Sequence, residues 1–222
     1  MASILLTWVS CSPTPGNQTN QEEGAQPQPK TIDLLASKSL DDWDVILDAP
    51  EVGKADVWSF NEAGHLVCKG EPLGFLSTRD EYTNFKLTVE WRWPGEPGNS
   101  GVLMRIRSDD PIPTCLEAQL KSGSAGNVMG LRGAVLGGEG LIVKEHSTIG
   151  TLHIIPKKAG EEKTPGEWNR YEITVEGDTV RVFLNGELAS EGTGAEAIPG
   201  PIGFQSEGGV VEFRNMVLTV LE

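Results

Sequence analysis

Glu90 with Arg92, Arg105, Glu117 with Gln119, and Gln205 with the following Glu207 are the residues of this chain whose types and spacing could do chemistry. They sit in the stretches NFKLTVEWRW, GVLMRIR, TCLEAQLK and GPIGFQSEG. Within them the apolar residues fall at every second place: Phe85, Leu87, Val89 and Trp91; Leu116, Ala118 and Leu120; Ile202 and Phe204. Side chains alternate faces along a strand, so the long polar residues stand on the face turned away from each strand's core. Carboxylates accept, guanidinium groups donate and amides do both, a mixture that hydrogen-bonds well to hydroxyl groups. Glu–Arg pairs also hold one another in position. Two arrangements account for this face. If the strands adjoin in one curved sheet, Glu90, Arg92, Arg105, Glu117, Gln119 and Gln205 line a binding groove. Otherwise they form a solvated sheet face held by cross-strand charge pairs.

The rest of the chain reads as strands and turns that would carry these residues. Strands are expected over 31–35, 43–47, 56–60, 65–69, 73–78, 84–93, 101–107, 115–121, 128–132, 140–144, 150–154, 168–176, 179–185, 200–206 and 210–220. The connections NEAG, PGEPGNSG, GSAG, LGGEG, EGD, NGE and SEGG have turn compositions. YEITVEGDTVRVFLNGELA is the clearest hairpin. No apolar run is long enough to span a bilayer. Many short strands at regular spacing over 222 residues predict an all-β jelly-roll sandwich of two packed antiparallel sheets. Three further residues join the candidates. Asn99 can reach a ligand from the turn before Gly101, Trp168 can stack on one from beside a turn, and His146 sits in a connecting segment. Trp91 is expected in the core.

A net charge of −14 argues against nucleic acid and fits a neutral or cationic partner. There is no CxxC, HExxH or Cys/His cluster to hold zinc, and no cofactor is required by the sequence. The groove carboxylates could take Ca²⁺, since oxygen-only sites leave little trace in spacing. The first thirty residues are different material. MASILLTWVSC (1–11) resembles the end of a secretory signal, and Ser10-Cys11 resembles a bacterial lipoprotein cleavage site with Cys11 as the lipidated residue. A cleaved signal and a cytosolic extension are the alternatives. Residues 12–30, polar and Pro-rich, would be a flexible tether to a domain over 31–222. On the lipoprotein reading the protein is exported, faces the periplasm or outer membrane, and meets the membrane only through its lipid. Cys68 and Cys115 lie inside strand patterns, where unpaired, buried cysteine is expected rather than a disulfide.

Several stretches together resemble the 3-keto-disaccharide hydrolase domain family: HLVCKGEPLGFLSTRDEYTNFKLTVEWRW, GNSGVLMRI, PTCLEAQLKSGSAG, PGEWNRYEITVEGDTVRVFLNGELA and PGPIGFQSEGGVVEFRNMVLTVL. The resemblance runs from about residue 31 to 222 and implies a concanavalin A-like sandwich acting on sugars already oxidised at C3. A C3 ketone acidifies the C2 hydrogen. A carboxylate can then remove it, a cation or hydrogen-bond donor can hold the enolate, and the C1 oxygen leaves before water adds. On that reading Glu117 is the base, Glu90 the acid or an arginine partner, and Arg105 or Gln119 the enolate donor. Arg92, Asn99, Gln119, Trp168, Gln205, Glu207 and His146 would bind substrate. Direct hydrolysis through two carboxylates is the competing mechanism. The alternatives are a non-catalytic, lectin-type carbohydrate-binding module and a cell-surface scaffold domain. One departure stands out: where relatives often carry an acidic residue after SGSAG, this chain has Asn127.

Overall fold

The computed structural model describes residues 29–222. The expected leader, Cys11 and all but the end of the expected tether lie outside the described residues. In chain order the strands are β1 (Thr31–Asp33), β2 (Trp43–Leu47), β3 (Trp58–Phe60), β4 (Leu66–Cys68), β5 (Gly74–Thr78), β6 (Phe85–Arg92), β7 (Gly101–Met104) and β8 (Cys115–Gln119). There follow β9 (Val128–Leu131), β10 (Ile142–His146), β11 (Gly150–Ile155), β12 (Asn169–Glu176), β13 (Thr179–Leu184), β14 (Glu187–Gly192), β15 (Gly203–Ser206) and β16 (Val211–Val220). Among the described residues helix is confined to one 3₁₀ turn at Leu40–Asp42 and one α-turn, α1, at Lys54–Val57. No helix among the described residues is long and apolar enough to cross a membrane.

The strands form two antiparallel sheets. Sheet I runs β14-β13-β12-β6-β16-β4-β3, with β1 also paired to β16; sheet II runs β10-β11-β9-β8-β7-β15-β5-β2. The alternation in FKLTVEWR is matched residue by residue, with Phe85, Leu87, Val89 and Trp91 buried and the intervening side chains at least partly open. The two inner faces meet in one apolar core, where the Phe204 ring of sheet II stands edge-on to Phe213 of sheet I with centroids 5.3 Å apart. Burying one such ring contributes about 3 kcal/mol, so a handful of aromatics decides the packing. Cys68 belongs to this core, Cys115 to a smaller cluster, and both thiols are free. Burial pushes the Cys68 thiol up to about 11, where it is inert.

The outer face of sheet II differs from a plain solvated sheet. Every residue of β8 is buried, because Phe75, Leu103, Ile106, Cys115, Leu131 and Leu152 build a second, smaller apolar cluster there. Several expected elements shift for local reasons. Residues 54–57 form α1 rather than the start of a strand, and β7 stops at Met104 because Arg105 adopts a left-handed backbone with φ of 52°. The edge strand β10 falls at 142–146 rather than 140–144 and is exposed throughout. No strand was expected at 187–192, yet β14 pairs with β13 there. A register shift between Val182 and Phe183 hides its alternation.

Candidate functional site

The candidate site grows from the register of β8. Glu117 lies opposite Leu103 of β7 on one side and Met129 of β9 on the other, so its stem is set among apolar neighbours on the outer face of sheet II. Two residues along the strand, Gln119 faces Gly101. A β-carbon at position 101 would come within 2.3 Å of Glu117 Oε1, so the missing side chain is the slot that the carboxyl group fills. The Ser100 hydroxyl donates to the Gln205 carbonyl at 2.7 Å, tying β7 to β15. Beyond it the Asn99 N–H donates to Gly208 O at 2.8 Å, and Gly98 is pressed against Gly208 so closely that a β-carbon would meet its carbonyl at 2.0 Å. The segments GNSG and SEGG, far apart in sequence, therefore close over one another at this end of the sheet.

This end holds Asn99, Glu117, Gln119, Gln205 and Glu207, with Lys121 exposed beside them. Glu117 is 2% exposed and Gln205 1%. Three buried oxygens, Glu117 Oε1, Gln205 Oε1 and Asn99 Oδ1, have no hydrogen-bond partner among the described residues. Burial, reinforced by the negative charge of Glu207, holds the Glu117 carboxyl well above the usual carboxylate range. Glu207 is only half-buried. Burial raises it too, while the Lys121 charge and a hydrogen bond from Gln205 pull it down. Both carboxyl groups of this region are thus raised, the buried Glu117 further than the half-open Glu207. Gln119 is largely spent on structure: its Oε1 accepts from Lys121 N at 2.8 Å and its Nε2 faces the Met129 sulfur. Beside Glu207 a cleft of about 450 Å³ is lined by Asp48, Gly70, Glu71, Pro72 and Leu73.

The six residues expected on one face do not converge. Glu90 and Arg92 lie on the outer face of sheet I, the opposite side of the sandwich from Glu117. There Arg214 Nε donates to Glu90 at 2.7 Å and Arg92 donates to Glu212 at 2.8 Å. Burial opposes ionisation of Glu90, but hydrogen bonds from Arg214 and Asn215 and the charges of Arg214 and Arg170 outweigh it and hold Glu90 below the usual range. Trp168 belongs to the same network, stacked against the guanidinium groups of Arg92 and Arg214 at 4.6 and 4.1 Å. Arg105 is 2% exposed and donates to the carbonyls of Thr83, Glu196 and Gly177, so it clasps three loops rather than facing Glu117. His146 lies on the exposed edge strand β10, with Nδ1 accepting from Thr148 N. Asn127, where relatives often carry an acid, accepts from Lys157 N at 2.8 Å and ties two loops.

Gly101 was legible only as a turn residue, Lys121 only as a member of the polar face of the 115–121 strand, and Asp48 and Glu71 as loop residues. What marks them is position around Glu117 and Glu207, which pairing between strands creates. Among the described residues no group of three or more His, Cys, Asp or Glu is arranged to hold a metal ion.

A two-sheet antiparallel jelly roll is the concanavalin A-like architecture of glucanases and carbohydrate-binding modules. Within that class, the chain belongs to the 3-keto-alpha-glucoside-1,2-lyase-like domain family, whose profile matches residues 30–219. A candidate glycosyl hydrolase from Parabacteroides distasonis superposes with a TM-score of 0.61 at 20% identity, covering 86% of this chain and 94% of its own. The carbohydrate-binding module CBM66 of Bacillus subtilis gives 0.55 at 13% identity, over 80% of this chain and 95% of its own. The β-glucanase of Bacillus licheniformis gives 0.54 at 10% identity, over 89% and 100%. No curated protein matches the chain in sequence.

Proposed function

We propose that the protein cleaves glycosides oxidised at C3, by elimination across C1 and C2 followed by hydration, at the Glu117–Glu207 end of sheet II. The carrying observation is the pair of carboxyl groups there, one buried with an unpartnered oxygen and one half-open beside Lys121. Membership of a family named for 1,2-lyase chemistry supports elimination over direct displacement. The physical states of the two groups suggest a division of labour that differs from the sequence expectation. Glu117, held protonated, suits the proton donor; Glu207, more readily ionised, suits the base.

Glu207 takes the C2 proton, and the electron pair is delocalised into the C3 carbonyl as an enolate. The enolate collapses to a C1–C2 double bond as the C1–O bond breaks, and the departing oxygen takes the proton of Glu117. Water then adds at C1, returning a proton to Glu117, while Glu207, whose proton has exchanged with solvent, delivers one to C2. Both side chains end as they began. A buried carboxyl without a partner costs about 1–3 kcal/mol, and a substrate oxygen at Glu117 offsets that penalty on binding. Neither Arg105 nor Glu90 takes part.

The test is turnover of a 3-oxo-disaccharide in D₂O, followed by release of free sugar and by NMR. Release with deuterium at C2 is expected. Release without deuterium at C2 would replace elimination by direct displacement. Binding with no bond cleaved would make the protein a carbohydrate-binding module, the name carried by one of its structural neighbours.

A further inference from the structure

The Glu117 carboxyl group lies over Gly101, with Oε1, Cδ and Cγ all within 2.8 Å of where a β-carbon would stand. Carrying the β15–β7 register one residue past Phe204–Val102 sets Gln205 opposite Gly101, on the same outward face. The bond from the Ser100 hydroxyl to the Gln205 carbonyl fixes that pairing. Directly opposed side chains start about 5 Å apart, so the Gln205 amide stands within reach of the Glu117 carboxyl.

Both side chains are buried, and an oxygen of each, Glu117 Oε1 and Gln205 Oε1, is unpartnered among the described residues. Two bare acceptors side by side repel. A single proton on Glu117 Oε1 satisfies both, because a carboxylic O–H donates and an amide oxygen accepts. Nothing nearby offers Glu117 a compensating positive charge. β7 and β9, which flank it, carry no charged residue. The titratable groups closest to it are Cys115 on its own strand and Tyr171, whose hydroxyl donates to Gln119 O, and burial keeps both neutral. Glu207 lies beyond Gln205 with Lys121 as its cation, and the nitrogen end of the Gln205 amide serves Glu207. The oxygen end is left for Glu117.

We propose that Gln205 is a positioning residue: its Oε1 accepts the proton of Glu117 while its amide N–H holds Glu207, so that one side chain orders both carboxyl groups. This rests on the reading that these two groups are the acid and the base. An acceptor for the O–H favours the neutral form of Glu117, and an N–H donor favours the charged form of Glu207. The buried amide therefore sets which of the two carries the proton.

The test is infrared difference spectroscopy of the full chain at pH 7, wild type minus Glu117→Gln, which isolates the carbonyl stretch of the Glu117 acid. A band at the lowered frequency of a carboxyl group that donates a hydrogen bond is expected. Gln205→Met, whose thioether is only a weak acceptor, should move it to higher frequency. So should Gln205→Asn, which keeps the amide but draws it back by one methylene. Each is compared with its own Glu117→Gln counterpart, and Asn99→Ala should leave the band in place. In turnover of a 3-oxo-disaccharide, the pH profile of Gln205→Met should narrow by about one pH unit on each limb, the size of one hydrogen bond. Limbs that stay in place while the height falls mark a packing role and overturn the proposal. So does a band unmoved by both Gln205 variants, a band moved by Asn99→Ala instead, or no acid band at all. No sugar released by the wild type, with the band behaving as expected, overturns the reaction and leaves the hydrogen bond standing.

Discussion

Replacing Glu117 by Gln keeps the shape of the side chain and removes its ability to ionise. In the folded protein this carboxyl is 2% exposed and is raised well above its ordinary value of 4.5, first by burial and then by Glu207. Below pH 4.5 the group is protonated in both the folded and unfolded chain and contributes no pH dependence. Above it the unfolded chain loses the proton while the fold retains it, so the folded state binds more protons and stability falls as pH rises. The slope is about 1.4 kcal/mol per pH unit until the folded value is passed. Glu117→Gln removes that slope. The variant should match the wild type in its pH dependence below pH 4.5 and gain on it above, by about 3–6 °C in Tm for each unit for a domain of this size. Thermal melts of both proteins from pH 4 to 8 read this directly, with Glu71→Gln as an exposed control. The same variant should lose about 10²–10⁴ in turnover of a 3-oxo-glycoside through loss of the proton donor. Parallel Tm curves for wild type and variant would refute the reasoning, because they would mean that the carboxyl ionises as readily in the fold as in water.

Gly101→Ala should displace the Glu117 carboxyl, since the new methyl would lie 2.3 Å from Oε1; a loss of at least about 10² in turnover with an unchanged circular dichroism spectrum is expected. Arg105→Met should destabilise the fold by about 3 kcal/mol, roughly one for each of the three carbonyls left without its donor, read by urea denaturation. Trp168→Ala removes an indole stacked on the far sheet, so turnover should stay within about twofold of wild type in a steady-state assay, a bound set by the lack of contact with the site. In the native host Cys11→Ala should release the protein from the membrane fraction, because a lipid chain on that residue is the expected anchor; unchanged partitioning would remove the lipoprotein reading.

The period-two alternation of NFKLTVEWRW, TCLEAQLK and GPIGFQS was enough to predict strands, their buried faces and a two-sheet sandwich. The reason is that burial of every second side chain is a local requirement written into each strand. The buried, unpaired cysteines were legible for the same reason. What alternation cannot say is which sheet a strand joins. Glu90 and Glu117 share the same phase relative to their apolar neighbours, yet β6 lies in sheet I and β8 in sheet II, so their outward faces are on opposite sides of the molecule. Arg105 also follows the alternating pattern, but a left-handed residue at the end of β7 turns its side chain to three loop carbonyls. The states of Glu117 and Glu207 were equally hidden. A carboxyl's proton affinity depends on how much water surrounds it and which charges stand near. For these two, both were decided by the strand pairing that brings Gly101, Met129 and Gln205 around one end of sheet II.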